Sequence, residues 1–180
     1  MPNLFVTVIV PCFNAEKFLR KTIDSVIAQT YPHINIIAIN DGSSDNTLEI
    51  LKEYGNITTI HHRNIENKGQ AASINLGIKN SSSELLAFID ADDIWDKNKI
   101  KEQVDVFRKH DDVGLCYVNG YVFSEGCPFL YCLLPEDFIE DNVVGKILLN
   151  CYVRTPSMVM VKRNIFDKTA ATPGRPQVSR

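Results

Sequence analysis

Asp90, Asp92 and Asp93 stand within four positions of one another, directly after the apolar run Leu85–Ile89. Carboxylates this close repel one another and raise each other's pKa unless something positive sits between them. The run before them reads as the centre of a protein, so the acids end a buried segment rather than decorate a solvated one. Such a D-x-D can hold Mg²⁺ or Mn²⁺, and the cation can in turn bridge the oxygens of a diphosphate. Two further segments end in the same manner. Asp41 closes "INIIAIN" in "INDGSSD", and the turn Pro11–Asn14 closes "FVTVIV".

Other chemistries fit less well. There is no G-x-G-x-x-G after the first apolar run, no G-x-x-x-x-G-K-[ST] loop and no G-x-S-x-G elbow. An EF-hand reading of "DADDIWDKNKIK" fails because Ile94, Trp95 and Lys101 stand where a ligand, the Gly and the bidentate Glu belong. Acids before a helix would also favour its dipole, but Asp96 can do that alone. Asp41 could stabilise its own turn by an Asx-type bond. Trp95 reads as a packing anchor, and His61 and His62 as structural residues.

The elements that must position these acids follow from hydrophobic period. Phe5–Val10, Ile34–Asn40, Ile57–His62, Leu85–Ile89 and Val113–Val118 are β-branched or apolar runs of strand length. Between them the period changes to that of helices. Ala15, Phe18, Leu19, Thr22, Ile23, Val26 and Ile27 share one helical face, with Asn14 expected as N-cap. Leu48, Leu51 and Tyr54 give the next helix an inner face, with Asp45 as its cap. Residues 70–79 and Lys97–Lys109 supply two more. Strand–helix alternation with strands this apolar predicts an α/β fold: a mainly parallel twisted sheet with helices on both faces. In such sheets ligands bind at the carboxyl ends of the strands, where the Pro11–Asn14 turn, Asp41 and the D-x-D all fall.

Beyond about residue 119 the pattern weakens. "YVFSEG" and "SMVMVKR" read as strands and Val143–Cys151 as a short helix. The expected division is one domain over residues 1–167 and a disordered Pro/Gly/Ser-rich tail over 168–180. The 180 residues, 44% hydrophobic and 23% charged, suit one globular core. A net charge of −3 offers no reason to expect nucleic acid as a partner. No apolar run approaches the roughly 20 residues that span a bilayer, and the N-terminus lacks the features of a signal peptide. Five cysteines without metal-ligand spacing read as reduced thiols of a cytoplasmic protein.

Three stretches together, "VTVIVPCFNAEKFLRKTIDSVIAQTYPHINIIAINDGSSDNT", "NKGQAASINLGI" and "FIDADDIW", resemble the nucleotide-sugar-binding half of a family 2 glycosyltransferase of the GT-A fold. The resemblance implies that Pro11, Phe13 and Asn14 line a base and ribose pocket, with Glu16 close by. It implies that Asp41 accepts from the base, and that Asn67, Gly69 and Asn75 form the segment beside the donor. Asp90 and Asp92 match the acids that position ribose and metal, and Asp92 with Asp93 would hold Mn²⁺ or Mg²⁺. Ile74 stands where many relatives carry Arg. The family's catalytic-base motif follows the segment matched by "SMVMVKRNIF". Here "DKTAATPGRPQVSR" stands in its place, so the catalytic residue is unassigned and turnover by this chain is expected to be slow.

The activity implied is metal-dependent, inverting transfer from a nucleoside-diphosphate sugar, a UDP sugar above all, to a saccharide or lipid-linked acceptor in polysaccharide biosynthesis. No transmembrane segment is expected, and the acceptor could bring the protein to a membrane peripherally. Two other readings stand beside it. One is a non-catalytic nucleotide-sugar-binding fragment, and the other a metal-dependent nucleotidyltransferase. The latter would want a Gly/Lys/Arg-rich loop after the first strand, and "PCFNAEKF" offers none.

Overall fold

The computed structural model describes residues 3–61, 69–124, 127–132 and 153–166. Asn67, the acids Glu136, Asp137, Glu140 and Asp141, the helix expected over 143–151 and the tail over 168–180 lie outside them.

The alternation gives β1 (Val6–Cys12), α1 (Leu19–Ile27), β2 (Ile34–Asn40), α2 (Thr47–Glu53), β3 (Thr58–His61), α3 (Gln70–Asn80), β4 (Leu85–Phe88) and α4 (Lys99–Lys109). Then follow β5 (Leu115–Tyr117), the antiparallel hairpin β6 (Tyr121–Ser124) with β7 (Cys127–Cys132), and β8 (Val159–Lys162). Six strands form one sheet in the order β3-β2-β1-β4-β8-β5. β1 pairs in parallel with both β2 and β4, whereas β8 is antiparallel to β4 and to β5. The chain steps outward from β1 through β2 to β3, then crosses back to the other side of β1 for β4. The switch point of this α/β sheet is therefore between β1 and β4, and the crevice outside their carboxyl ends is where such sheets bind ligands.

Both faces of the sheet are covered, which explains why its strands are apolar at successive positions rather than at alternate ones. Val6, Val8 and Val10 face α1, α2 and α4 through Leu19, Ile23, Leu51, Ile100 and Val104. Ile9, Ile37, Ile39 and Phe88 face the other way, toward Ile74 and Ile78 of α3. α3 comes unusually close to the sheet: a Cβ on Gly77 would lie 2.6 Å from Ile9 Cγ2. α2 turns Ile50 and Leu51 inward, with Leu48 only half-buried.

Pro11 sits within β1 without breaking the ladder. The Ile89 amide bonds Ile9 O and the Asp41 amide bonds Cys12 O, so donors along β1 alternate between the β4 and β2 sides. The N–H missing at Pro11 would face the β4 side, where the β4 ladder has already ended at Ile9↔Phe88.

Asn14 is not the N-cap of α1. Its backbone is left-handed, with φ of 48°, and its Oδ1 accepts from the Ser44 amide at 2.9 Å. The free amides of the turn before α1 are satisfied from the β2–α2 loop instead. Ala15 donates to Thr47 Oγ1 at 2.7 Å and Glu16 to Asp45 Oδ2 at 3.0 Å. Asp45 also accepts from the Thr47 amide at 3.0 Å; the N-cap of α2 is Asn46, so Asp45 satisfies that first amide from one position earlier while serving the other turn. Burial works to raise the Asp45 pKa, but these hydrogen bonds outweigh it and hold the carboxyl below its ordinary value. Among the described residues no helix is long and apolar enough to cross a membrane.

Candidate functional site

The carboxyl ends of β1, β2 and β4 open onto one cleft of about 520 Å³. Pro11, Phe13, Asn14 and Phe18 come from β1 and the turn after it, Asp41 from the end of β2, Gly69, Gln70 and Ser73 from the start of α3, and Asp90 and Asp92 from the end of β4. Phe13 stands at the mouth with 48% of its surface exposed, a flat apolar face available to stack on a ring. Asp41 lies at the other extreme, only 3% exposed, with Oδ2 accepting from the Gly69 amide at 2.8 Å. A carboxylate presents about four acceptor sites on its two oxygens, more than the Gly69 amide by itself fills.

Asp90 is fixed from three directions. Its Oδ1 accepts from Gln70 Nε2, its Oδ2 lies 2.8 Å from Thr155 Oγ1, and its amide donates to Ser157 Oγ at 2.8 Å. Burial raises the Asp90 pKa first of all. The charges of Asp93 and Asp92 raise it further, while the bonds from Thr155 and Gln70 pull the other way. The crowding anticipated from the sequence is thus present in the fold. Asp93 borders a neighbouring hollow of about 830 Å³, shared with Trp95, Lys99, Tyr121 and Thr155. Trp95 lines this second hollow. It is buried, its Nε1 donates to Ser157 O at 2.8 Å, and Lys99 Nζ lies 4.0 Å from its ring centroid.

The donor set of the acids suits a hard divalent cation, since every side-chain atom offered is oxygen. Among the described residues no group of three or more His, Cys, Asp or Glu converges as a closed metal cage. Mg²⁺ and its like are commonly held by one or two carboxylates together with substrate phosphates. Asp92 and Asp93, facing adjoining spaces, fit a cation that arrives with a diphosphate.

The structure gathers Pro11, Phe13, Asn14, Asp41, Gly69, Asp90 and Asp92 at the cleft, with Asp93 next door. It does not bring Glu16 or Asn75 there. Glu16 Oε2 accepts from the Asn46 amide at 2.9 Å and from Asn46 Nδ2 at 3.0 Å, because the start of α2 needs an acceptor and Glu16 is the acid within reach. Asn75 is exposed on α3, two residues past the inward-facing Ser73 and therefore on the far side of the helix. Gln70, Ser73, Thr155 and Ser157 join the site without having been singled out. Gln70 and Ser73 lie inside the quoted "NKGQAASINLGI" and could have been found from helical spacing. Thr155 and Ser157 carried no local signal. A hollow of about 570 Å³ at the opposite end of the sheet, bordered by Leu4, Glu84, Arg108 and Lys162, gathers at the strand starts, away from the crevice that ligands favour.

An uncharacterized glycosyltransferase of Rickettsia prowazekii is 31% identical over 91% of this chain and 54% of its own length. Glycosyltransferase GlyA of Streptococcus pneumoniae is 36% identical over 77% of this chain and 20% of its own length. The chain thus spans about half the length of the first relative and less of the second. Residues 1–349 of Staphylococcus aureus TarS, solved in complex with UDP, superpose with a TM-score of 0.75 at 20% identity, covering 93% of this chain and 49% of that one. The mannosyltransferase PcManGT of Pyrobaculum calidifontis, solved with GDP-Man and Mn²⁺, gives 0.58 at 21% identity over 64% of this chain and 35% of that one. The fold is the GT-A architecture expected from the resemblance. The sequence pattern of glycosyl transferase family 2 matches residues 7–169, and the chain belongs to that family.

Proposed function

We propose that residues 1–167 form the donor-binding domain of a glycosyltransferase that takes a nucleoside-diphosphate sugar, a UDP sugar, together with Mn²⁺ or Mg²⁺. The observation that carries the reading is the convergence of Phe13, Asp41 and the Asp90/Asp92 pair on one cleft from three separate strand ends. Phe13 would stack on the base, Asp41 would accept from a base N–H, and Asp90 would orient the ribose. Asp92 and Asp93 would hold the cation, whose charge offsets that of the departing diphosphate. The UDP in TarS and the Mn²⁺ in PcManGT support both halves of this assignment.

In the inverting reaction a carboxylate takes the proton of an acceptor hydroxyl as the hydroxyl attacks the anomeric carbon from the face opposite the leaving group. The acids described here all lie on the donor side, so none of them is given that task. The acceptor is a saccharide or a lipid-linked saccharide of polysaccharide biosynthesis, met on the cytoplasmic side and, for a lipid-linked acceptor, at the membrane surface. The test is calorimetry of this chain with UDP, GDP, dTDP and CDP, each in Mn²⁺ and in excess EDTA. UDP binding that strengthens with Mn²⁺ is the expected result. No binding of any nucleotide in either condition would overturn the reading.

A further inference from the structure

β8 enters the sheet antiparallel to β4, with Ala87 opposite Met160. Continuing that register by three residues sets Ser157 opposite Asp90, and the Asp90 amide does donate to Ser157 Oγ at 2.8 Å. The consequence is topological. Residues just before β8 in the chain must lie at the carboxyl end of β4, beside the acids, although more than sixty residues separate them in sequence. The tripeptide Thr155–Pro156–Ser157 occupies that place as the entry to a single tight turn, with the Ser157 amide donating to Thr155 Oγ1 at 3.2 Å.

Thr155 Oγ1 lies 2.8 Å from Asp90 Oδ2 and 3.4 Å from Asp93 Oδ2. A hydroxyl has one proton to donate. The shorter contact directs it to Asp90, and the same oxygen stands between that carboxylate and the next. Asp90 is thereby held by a neutral donor before any ligand arrives, while Asp93 Oδ2 lies beside the same oxygen without receiving its proton. Gln70 occupies the other oxygen of Asp90, so the orientation of the whole carboxylate is set by protein donors. Trp95 in turn holds Ser157 O, which anchors the tripeptide from below.

We propose that Thr155 is a positioning residue for Asp90, a hydroxyl that pre-arranges the first acid of the D-x-D for the nucleotide ligand. The inference rests on the donor-binding reading above and adds to it a residue from the far side of the sheet. Without that hydroxyl Asp90 would have to be ordered by the ligand itself, and affinity would fall by the work of ordering it.

The experiment compares Thr155→Val, which keeps the shape and removes the hydroxyl, with Thr155→Ser, which keeps the hydroxyl. Each variant is titrated with UDP in Mn²⁺ and in EDTA, and its thermal midpoint is recorded. Thr155→Val should weaken UDP binding in Mn²⁺ about tenfold, the scale of one hydrogen bond to a charged group. Its midpoint should change much less, and Thr155→Ser should restore the Mn²⁺ value. Equal affinity of wild type and Thr155→Val in Mn²⁺ would overturn the inference alone. So would parallel losses in Mn²⁺, EDTA and thermal midpoint that Thr155→Ser does not restore, since those mark a merely structural residue. A wild-type chain that binds no nucleotide would overturn the donor-binding reading and this inference with it.

Discussion

Asp41 and Gly69, 28 residues apart, are joined by a 2.8 Å hydrogen bond from the Gly69 amide to Asp41 Oδ2. The bond ties the end of β2 to the residue that opens α3, and Gly69 makes it from a left-handed backbone, φ 87°, that suits glycine. Asp41 thus serves both the architecture of the cleft and, in the proposed reading, the base. Asp41→Asn, similar in size but with one acceptor oxygen replaced by a donor, should reduce the preference for UDP over CDP about tenfold. Asp41→Ala should also lose overall affinity, because Gly69 loses its acceptor. A nucleotide panel read by calorimetry checks both, and an unchanged UDP/CDP ratio in Asp41→Asn would remove the base contact.

Asp92 borders the cleft on the same side as Asp90 and is exposed. If it carries the cation, the gain in UDP affinity on adding Mn²⁺ should vanish in Asp92→Ala, leaving the value measured in EDTA. Competition titrations of UDP in the two media give this directly. A variant that still gains from Mn²⁺ would move the metal to other ligands.

Ser73 and Gly77 face the sheet from successive turns of α3, and alanine should have opposite effects at the two. Ser73 Oγ is buried without a hydrogen-bond partner, so Ser73→Ala should stabilise the free protein by about 0.5–1 kcal/mol. Gly77→Ala drives a methyl to 2.6 Å from Ile9 Cγ2 and 3.1 Å from Ile39 Cδ1, and should destabilise by about 1–3 kcal/mol. Chemical denaturation of the two variants should therefore move the midpoint in opposite directions. A stabilised Gly77→Ala would mean that α3 sits farther from β1 than described.

Lys99 is 6% exposed, and burial pushes its pKa down to about 7. Its Nζ donates to Gln103 Oε1 at 2.6 Å and lies over Trp95, while the Cys116 thiol, itself raised by burial, faces it from β5. In the unfolded chain a lysine keeps its proton up to about pH 10.4. Between those two values the unfolded chain binds more protons than the folded one, so stability rises with pH across that window. Below pH 7 both states are protonated and the cost of the buried charge is fully present. Lys99→Met should flatten the rise between pH 7 and 9, even though it leaves Gln103 Oε1 short of a donor. Calorimetric melting at several pH values gives the slopes, and identical slopes in variant and wild type would contradict a buried, neutralising lysine.

Much of this protein is local in its logic and was therefore readable from the chain. The change of period from strand to helix at Pro11, at Asp41 and after Ile89 depends on near neighbours, and it placed each polar turn at a strand end. The acids of Asp90–Asp93 signal a cation because charge repulsion is a property of sequence distance. The resemblance to family 2 glycosyltransferases rested on the stretches around these turns, and the family match over residues 7–169 bears it out. Asn14 and Glu16 show where local reasoning stopped. Asn14 was read as a cap from its own turn and Glu16 placed by the family resemblance, yet the β2–α2 loop folds back across that turn, giving Asn14 the Ser44 amide and Glu16 the start of α2.

What tertiary structure alone decided is which distant groups complete the acids. Whether β8 enters beside β4 in parallel or antiparallel direction leaves no mark on "SMVMVKR", whose apolar residues suit either. The antiparallel choice carries Thr155 and Ser157 to the carboxyl end of β4. A parallel β8 would put them at the amino end, where the strand starts lie. Sheet partnership is set by the packing of both faces against α3 and α4, and that balance is a sum over the whole core. The chain by itself therefore determined that acids would gather at a strand end. Only the assembled sheet determined which hydroxyl meets Asp90 there.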